Sequence, residues 1–179
     1  MVQAISSPNP PAFGGRRTAP AIEFAAVLAF AAVAIGAHAA IFLPYLGTAE
    51  GKLGSDFSYF LPQLLAGHFW FLQNGPFAVQ WFTPAFCGGI PSFPNMQSVY
   101  YSLPQILTFG IGPLRAVEAT FVLFAAAGYW GSYRLLRRGF AAGPWSATAG
   151  ATLFLFNGFY TGHFLVGHLT FHAFMLAPW

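Results

Sequence analysis

Charge is what this chain has least of: Asp, Glu, Lys and Arg together make up 6% of its 179 residues, against roughly 25% in ordinary soluble domains. A water-soluble fold of this length would have no polar surface to show, so lipid is the expected solvent. Acids are scarcest of all. Asp56 is the only aspartate, and Glu23, Glu50 and Glu118 are the only glutamates. Acid–base chemistry is therefore confined to four carboxylates and five histidines. Cys87 is the single cysteine, which excludes an intrachain disulfide and reads as a buried, inert thiol. A phosphate-cradling glycine loop with Lys and a Gly-x-Ser-x-Gly nucleophile elbow are both missing.

What is present points the same way. Hydrophobic residues reach 56% and aromatics 19%, with a mean hydropathy of +0.59. The net charge of +3 is not a nucleic-acid signature, because Arg16, Arg17, Arg134, Arg137 and Arg138 form two clusters beside apolar runs. Topology signals look like that. No nucleic-acid partner is expected.

Residues 1–18, rich in Pro, Ser and Gly, read as a disordered cytoplasmic tail, and 19–179 as one transmembrane domain. From Phe24 to Ala49 there is no Asp, Glu, Lys or Arg. At about 1.5 Å per residue that run exceeds a ~30 Å hydrocarbon core, which places a first span at about 20–46. A signal peptide cut after Ala37-His38-Ala39 is the rival reading, but the apolar run continues through Ile41-Phe42-Leu43. Either reading puts Asp56 outside the cytoplasm. The outer loop, 47–112, is long yet apolar. Phe57, Phe60, Leu61, Leu64, Leu65 and Leu72 repeat with a helical period, and Trp70 and Trp81 suit a membrane interface, so interfacial helices are expected. Gly88-Gly89, Pro91 and Pro94 exclude regular helix across 87–95, a candidate cavity wall. A second span is expected at 114–133, its cytoplasmic end marked by Arg134, Arg137 and Arg138. A third follows at 143–163, and a fourth begins near the C-terminus. The chain ends inside an apolar segment, which reads as the N-terminal part of a longer protein.

Asp56 admits two compatible readings: a helix cap, a role open to Ser55 or Asp56, accepting the first free amides of the periodic segment after it, or a general base on the outer face. Arg115 and Glu118 lie three apart and read as a pair on one helical face. The sharper alternative is that Arg115, or Lys52, holds a lipid-linked phosphate, which a guanidinium fork suits well. His168 and His172 lie four apart, a spacing shared by helical metal ligands, but with no third ligand in view a cavity-lining role is expected. Asn95, Gln97, Tyr100 and Tyr101 are candidates for hydrogen-bonding sugar hydroxyls, or equally for satisfying exposed backbone.

Several of these segments carry a resemblance. Ser55-Asp56-Phe57, Gly88-Gly89-Ile90-Pro91, the run from Pro94 to Pro104, Asn157-Gly158-Phe159 and Gly167-His168-Leu169-Thr170 are similar to the N-terminal part of bacterial GT-C-type membrane glycosyltransferases, in particular the YfhO-like membrane proteins. The resemblance covers about residues 20–179. It implies an all-α, polytopic fold in the bacterial inner membrane with a cytoplasmic N-terminus. It also implies inverting transfer of a sugar from a polyprenyl-phosphate carrier to an acceptor hydroxyl on a glycan, lipid or protein. Asp56 matches the position of the acidic base, and a cation such as Arg115 would steady the departing phosphate. Among substrate-binding candidates stand Arg115, Lys52, Asn95, Gln97, Tyr100, Tyr101 and His168. No cofactor is implied, and a divalent metal is left open. The relatives continue into a long multi-span remainder with a C-terminal domain, which this chain lacks. The rival functions are a transporter or flippase-like protein for lipid-linked glycans and a noncatalytic assembly subunit. A transporter would carry ionisable groups at mid-membrane, where this chain has almost none.

Overall fold

A computed structural model describes residues 20–46, 56–75 and 77–179. The N-terminal tail, Glu50, Lys52 and Ser55 lie outside the described residues. The described residues are predominantly helical, with strand among them confined to one two-residue ladder.

Helix α1 (Pro20–Phe42) continues through a 3-10 turn at Leu43–Tyr45. It is the one helix among the described residues long and apolar enough to cross a membrane, over Ala21–Tyr45, in agreement with the expected span at 20–46. Val27, Ala31, Ala34 and His38 are buried, a single stripe at helical spacing whose small residues let neighbouring helices approach closely. The rest of its apolar surface faces outward, including Ile22, Phe24, Phe30 and Val33, the last 69% exposed. His38 is sealed inside, stacked on Phe121 with ring centroids 4.9 Å apart.

Helix α2 (Phe57–Asn74) buries Phe57, Phe60, Leu61, Leu64 and Gly67; of the periodic set read from the sequence, Leu65 and Leu72 face outward. After it the chain folds into a small flap. Strand β1 (Phe82–Thr83) pairs antiparallel with β2 (Ile90–Pro91), around a single helical turn, α3 (Ala85–Gly88), in which Phe86 and Cys87 take left-handed dihedrals. Gly88 and Gly89 also have positive φ, the conformation for which glycine carries no penalty. The flap thus has no regular helix beyond that distorted turn. Cys87 is exposed, which corrects its expected burial: it sits in the distorted turn of α3, at a left-handed φ of 55°.

Helix α4 (Leu103–Ile111) starts at Ser102, whose hydroxyl accepts from Gln105 N. Buried Gln105 donates to Leu64 O at 3.1 Å and so ties α4 to α2. Helix α5 (Pro113–Gly139) opens on a proline and closes on Arg137 and Arg138, cations suited to a helix C-terminus. It is the central element, contacting α1, α2, α4, α6 and the C-terminal segment. Helix α6 (Pro144–Leu155) lays Ala147, Thr148, Ala151 and Leu155 against the core. Helix α7 (Gly158–Leu165) follows immediately, and a 3-10 helix covers Leu169–Leu176.

The structure differs here from the expected continuous span at 143–163. Asn157 breaks it: its backbone is extended, and its Oδ1 accepts from Tyr160 N at 2.8 Å to cap α7. At about 1.5 Å per residue, the 12 residues of α6 fall well short of a ~30 Å core.

The C-terminal segment closes on α5 through glycines. A Cβ at Gly128 would lie 2.6 Å from Met175 Cε and 3.0 Å from Met175 O, and one at Gly131 would lie 2.6 Å from Trp179 Nε1. Trp179 Nε1 donates to Ala127 O at 2.9 Å, and Arg134 stacks over the indole at 4.9 Å. Gly128→Ala is therefore expected to destabilise the protein by about 1–3 kcal/mol, as overpacking does. A lowered thermal midpoint in purified membranes would show it.

Candidate active site

The site is built where the start of α2 meets the end of α7. Helix α7 stops in a Schellman arrangement: Gly167, at φ 88°, donates to Phe164 O at 2.9 Å, and His168 N donates to His163 O at 2.9 Å. The stop turns the chain back under α2. Asp56 N donates to Val166 O at 3.0 Å. A Cβ on Gly167 would stand 2.5 Å from Phe57 N and 3.0 Å from the Asp56 carbonyl carbon. Only glycine fits both the dihedral and the gap.

This backbone contact brings together two residues far apart in sequence. His168 Nε2 lies 2.9 Å from Asp56 Oδ2, with side chains 36% and 48% exposed respectively. The geometry assigns the Nε2–H tautomer, with the imidazole donating to the carboxylate. His168 Nδ1 is buried without a partner among the described residues. The His163 ring packs beside His168 at a centroid distance of 5.3 Å and is itself anchored, its Nδ1 2.8 Å from Phe159 O. One carboxylate oxygen is thus held by a fixed imidazole, and nothing else described bonds the carboxylate.

Helix capping by the Asp56 side chain is not what the structure shows. Asp56 already has helical dihedrals, φ −73° and ψ −10°, and its side chain makes no cap bond. A capping side chain needs an extended backbone to reach the free amides. The carboxylate turns instead to His168.

The remaining candidates fall into separate places. Asn95 is structural: its Nδ2 donates to Tyr59 OH at 3.1 Å and its Oδ1 accepts from Gln97 N at 2.9 Å. It thereby fastens the flap to α2. Tyr59→Phe should cost about 1 kcal/mol by freeing this tie, seen as faster proteolysis of the flap with the core unaffected. Asn95 and buried Tyr100 line a polar cavity of about 10 Å³ with Gln63, Gln80 and Ser92, which has room for one water and not for a sugar. Burial, then the neighbouring Tyr101 phenol, pushes the Tyr100 hydroxyl above its usual pKa. Gln97 and Tyr101 are exposed. Arg115 is exposed in the first turn of α5 and makes no ion pair with Glu118 among the described residues, against the expected pairing. Lys52 lies outside the described residues. His168 and His172 do not share a helical face: the Schellman stop and the 3-10 helix after it separate them, and His172 is buried at 3% exposure. Among the described residues no group of three or more His, Cys, Asp or Glu is placed to hold a metal ion.

A second cavity, of about 330 Å³, opens between two of the segments singled out in the sequence. Ser98, Val99 and Ser102 line it from the loop before α4, and Leu169, Thr170 and His172 from the 3-10 segment after His168. Sequence reasoning named Asp56 and His168 in separate roles and missed their pairing. The signal that bears on it was Gly167, a glycine positioned as a helix stop one residue before the histidine. No protein-family model matches the chain, and neither a curated protein nor a solved structure shows a significant match to it.

Proposed function

We propose that the chain is the catalytic N-terminal part of a polytopic, GT-C-like glycosyltransferase of the bacterial inner membrane, with Asp56 as its general base on the outer face. The observation that carries this reading is the half-exposed carboxylate of Asp56, held by the His168 imidazole at 2.9 Å. Outward-facing apolar side chains support membrane embedding beyond α1: Leu123 on α5, Leu153 on α6, and Leu65 and Phe69 on α2 are all exposed. Spans at 114–133 and 143–163, the second broken at Asn157, complete this topology. Broken helix at membrane depth is tolerated where protein or a wet cavity surrounds it. The resemblance of the Ser55-Asp56-Phe57 and Gly167-His168-Leu169-Thr170 segments to YfhO-like proteins supports the assignment further, because these two segments meet.

The chemistry is an inverting displacement. The acceptor hydroxyl gives its proton to Asp56, and its oxygen forms the new bond to the anomeric carbon. The bond from that carbon to the carrier phosphate breaks, and polyprenyl phosphate leaves with the electron pair. The phosphate departs as an anion and needs no acid partner, so one carboxylate suffices, unlike the paired acids of glycosidases. His168 positions Asp56 and does not itself take the proton. Arg115, exposed at the start of α5, or Lys52 would supply the cation for the departing phosphate.

The test is sugar transfer from polyprenyl-phosphate sugars to acceptors in membranes carrying the full-length protein, with Asp56→Asn alongside and protein levels matched. Unchanged transfer by the variant would sink the reading.

A further inference from the structure

We propose that the C-terminal end of α5 carries a site for one anionic phospholipid, with Arg134 and Arg138 on its phosphate and an acyl chain in the apolar groove beside them. The proposal rests on the embedding of α5 in the bilayer proposed above, and not on the transferase chemistry. Two adjoining cavities carry it. The first, of about 230 Å³, is lined by Arg134, Arg138 and the Trp179 indole. The second, of about 390 Å³, is walled by Leu135, Leu136, Phe154, Ala177 and Pro178. Leu135 and Pro178 line both, so a charged mouth opens directly onto an apolar groove. A molecule with a charged head and a hydrocarbon tail matches that succession of surfaces.

The head site suits an anion. Arg134 and Arg138 lie four apart and share one face of α5. Arg134 is held over the Trp179 indole at 4.9 Å, and that ring is fixed in turn by its Nε1, which donates to Ala127 O at 2.9 Å. No acidic residue lines either cavity, and neither arginine pairs with a carboxylate among the described residues. Two uncompensated guanidinium groups, each a planar fork of donors, complement phosphate oxygens. Arg137 is different: it lines neither cavity and donates to Ala142 O at 2.6 Å.

The occupant is a phospholipid rather than the sugar carrier. Arg115 stands at the other end of α5, about 35 Å from Arg138 along the helix axis. Neither Asp56 nor His168 lines the two cavities, so a phosphate bound here is not in the candidate active site. Basic pockets between helices at the cytoplasmic side of a membrane are where acidic headgroups bind, and the proposed topology puts this end of α5 there. A lipid seated in the groove touches three parts of the fold at once: Leu136 of α5, Phe154 of α6 and Pro178 of the C-terminal segment.

Native mass spectrometry of the full-length protein in a neutral detergent reads such a site lipid by lipid. Dioleoyl phosphatidylglycerol should bind about fivefold or more tightly than dioleoyl phosphatidylcholine, and Arg134→Gln combined with Arg138→Gln should remove that preference. Arg137→Gln should keep it. Equal loss in the Arg137 variant would mean diffuse attraction to a basic helix end, and it overturns the proposal, as does a parent protein without any preference. Glycerol phosphate bound as tightly as the phospholipid leaves the groove without a role and overturns it too. So does tighter binding of farnesyl phosphate, which would make this a site for the isoprenoid carrier. Should the double variant not fold, Arg138→Gln alone replaces it, and an unchanged preference there overturns the proposal equally. Topology is read separately, by labelling Phe140→Cys, an exposed position beside the arginines, in a protein without other cysteines. Labelling from outside removes the proposed topology, while an arginine-dependent lipid preference leaves the site standing. Labelling from inside with no such preference does the reverse.

Discussion

Replacing Asp56 with Asn is expected to cut sugar transfer by about 10²–10⁴-fold, the contribution of a positioned general base, with membrane levels unchanged. Asn keeps the size and still accepts from His168, so packing around the contact with Val166 and Gly167 survives while the basic oxygen is gone. His168 separates the two roles further. His168→Gln retains an amide donor at the distance of Nε2 and should keep much of kcat, whereas His168→Leu removes the donor and should lower kcat with little change in KM. Equal loss in both histidine variants would mean that His168 takes the proton itself, and the assignment of roles would reverse.

The second large effect is structural. Gly167→Ala is expected to destabilise the protein by about 2–4 kcal/mol, combining the strain of a side chain at positive φ with forced repacking. Two independent demands meet at this position: a dihedral of 88° and a gap in which a Cβ would lie 2.5 Å from the Phe57 nitrogen. The second contact is to backbone, which cannot rotate away as a side chain can. Gly158→Ala is the control, since a Cβ there meets nothing within 4 Å and no positive φ is required. Thermal unfolding of the two variants side by side decides the matter. Equal stability would show that the approach of α7 to α2 is looser than described.

The long elements were legible because their signals are local. A charge-free run gave α1 its limits to within a few residues, and the apolar period of Phe57, Phe60, Leu61 and Leu64 located α2. The arginine cluster expected at the end of the second span falls in the last turns of α5, which closes at Gly139. Arginines in a last turn favour the helix they sit on. The break in the third span was hidden by composition: Phe154, Leu155 and Phe156 before Asn157 look like continuing span, and one side-chain cap outweighs them. The site was legible only as a set of names. Asp56 and His168 both stood out, but their contact depends on a turn geometry that no single segment reveals. The expectation that the Asp56 side chain caps α2 failed for the same reason, since it assumed an extended backbone where the backbone is already helical.

The Schellman stop also has a consequence for biosynthesis. Asp56 is made early and His168 late, with α4, α5, α6 and α7 between them, so a nascent chain holding α1 and α2 carries the carboxylate without its partner. The Asp56–His168 contact forms only when the closing turn of α7 has reached the start of α2. On the proposed reading, a chain stalled after α5 would hold the carboxylate without the imidazole that positions it.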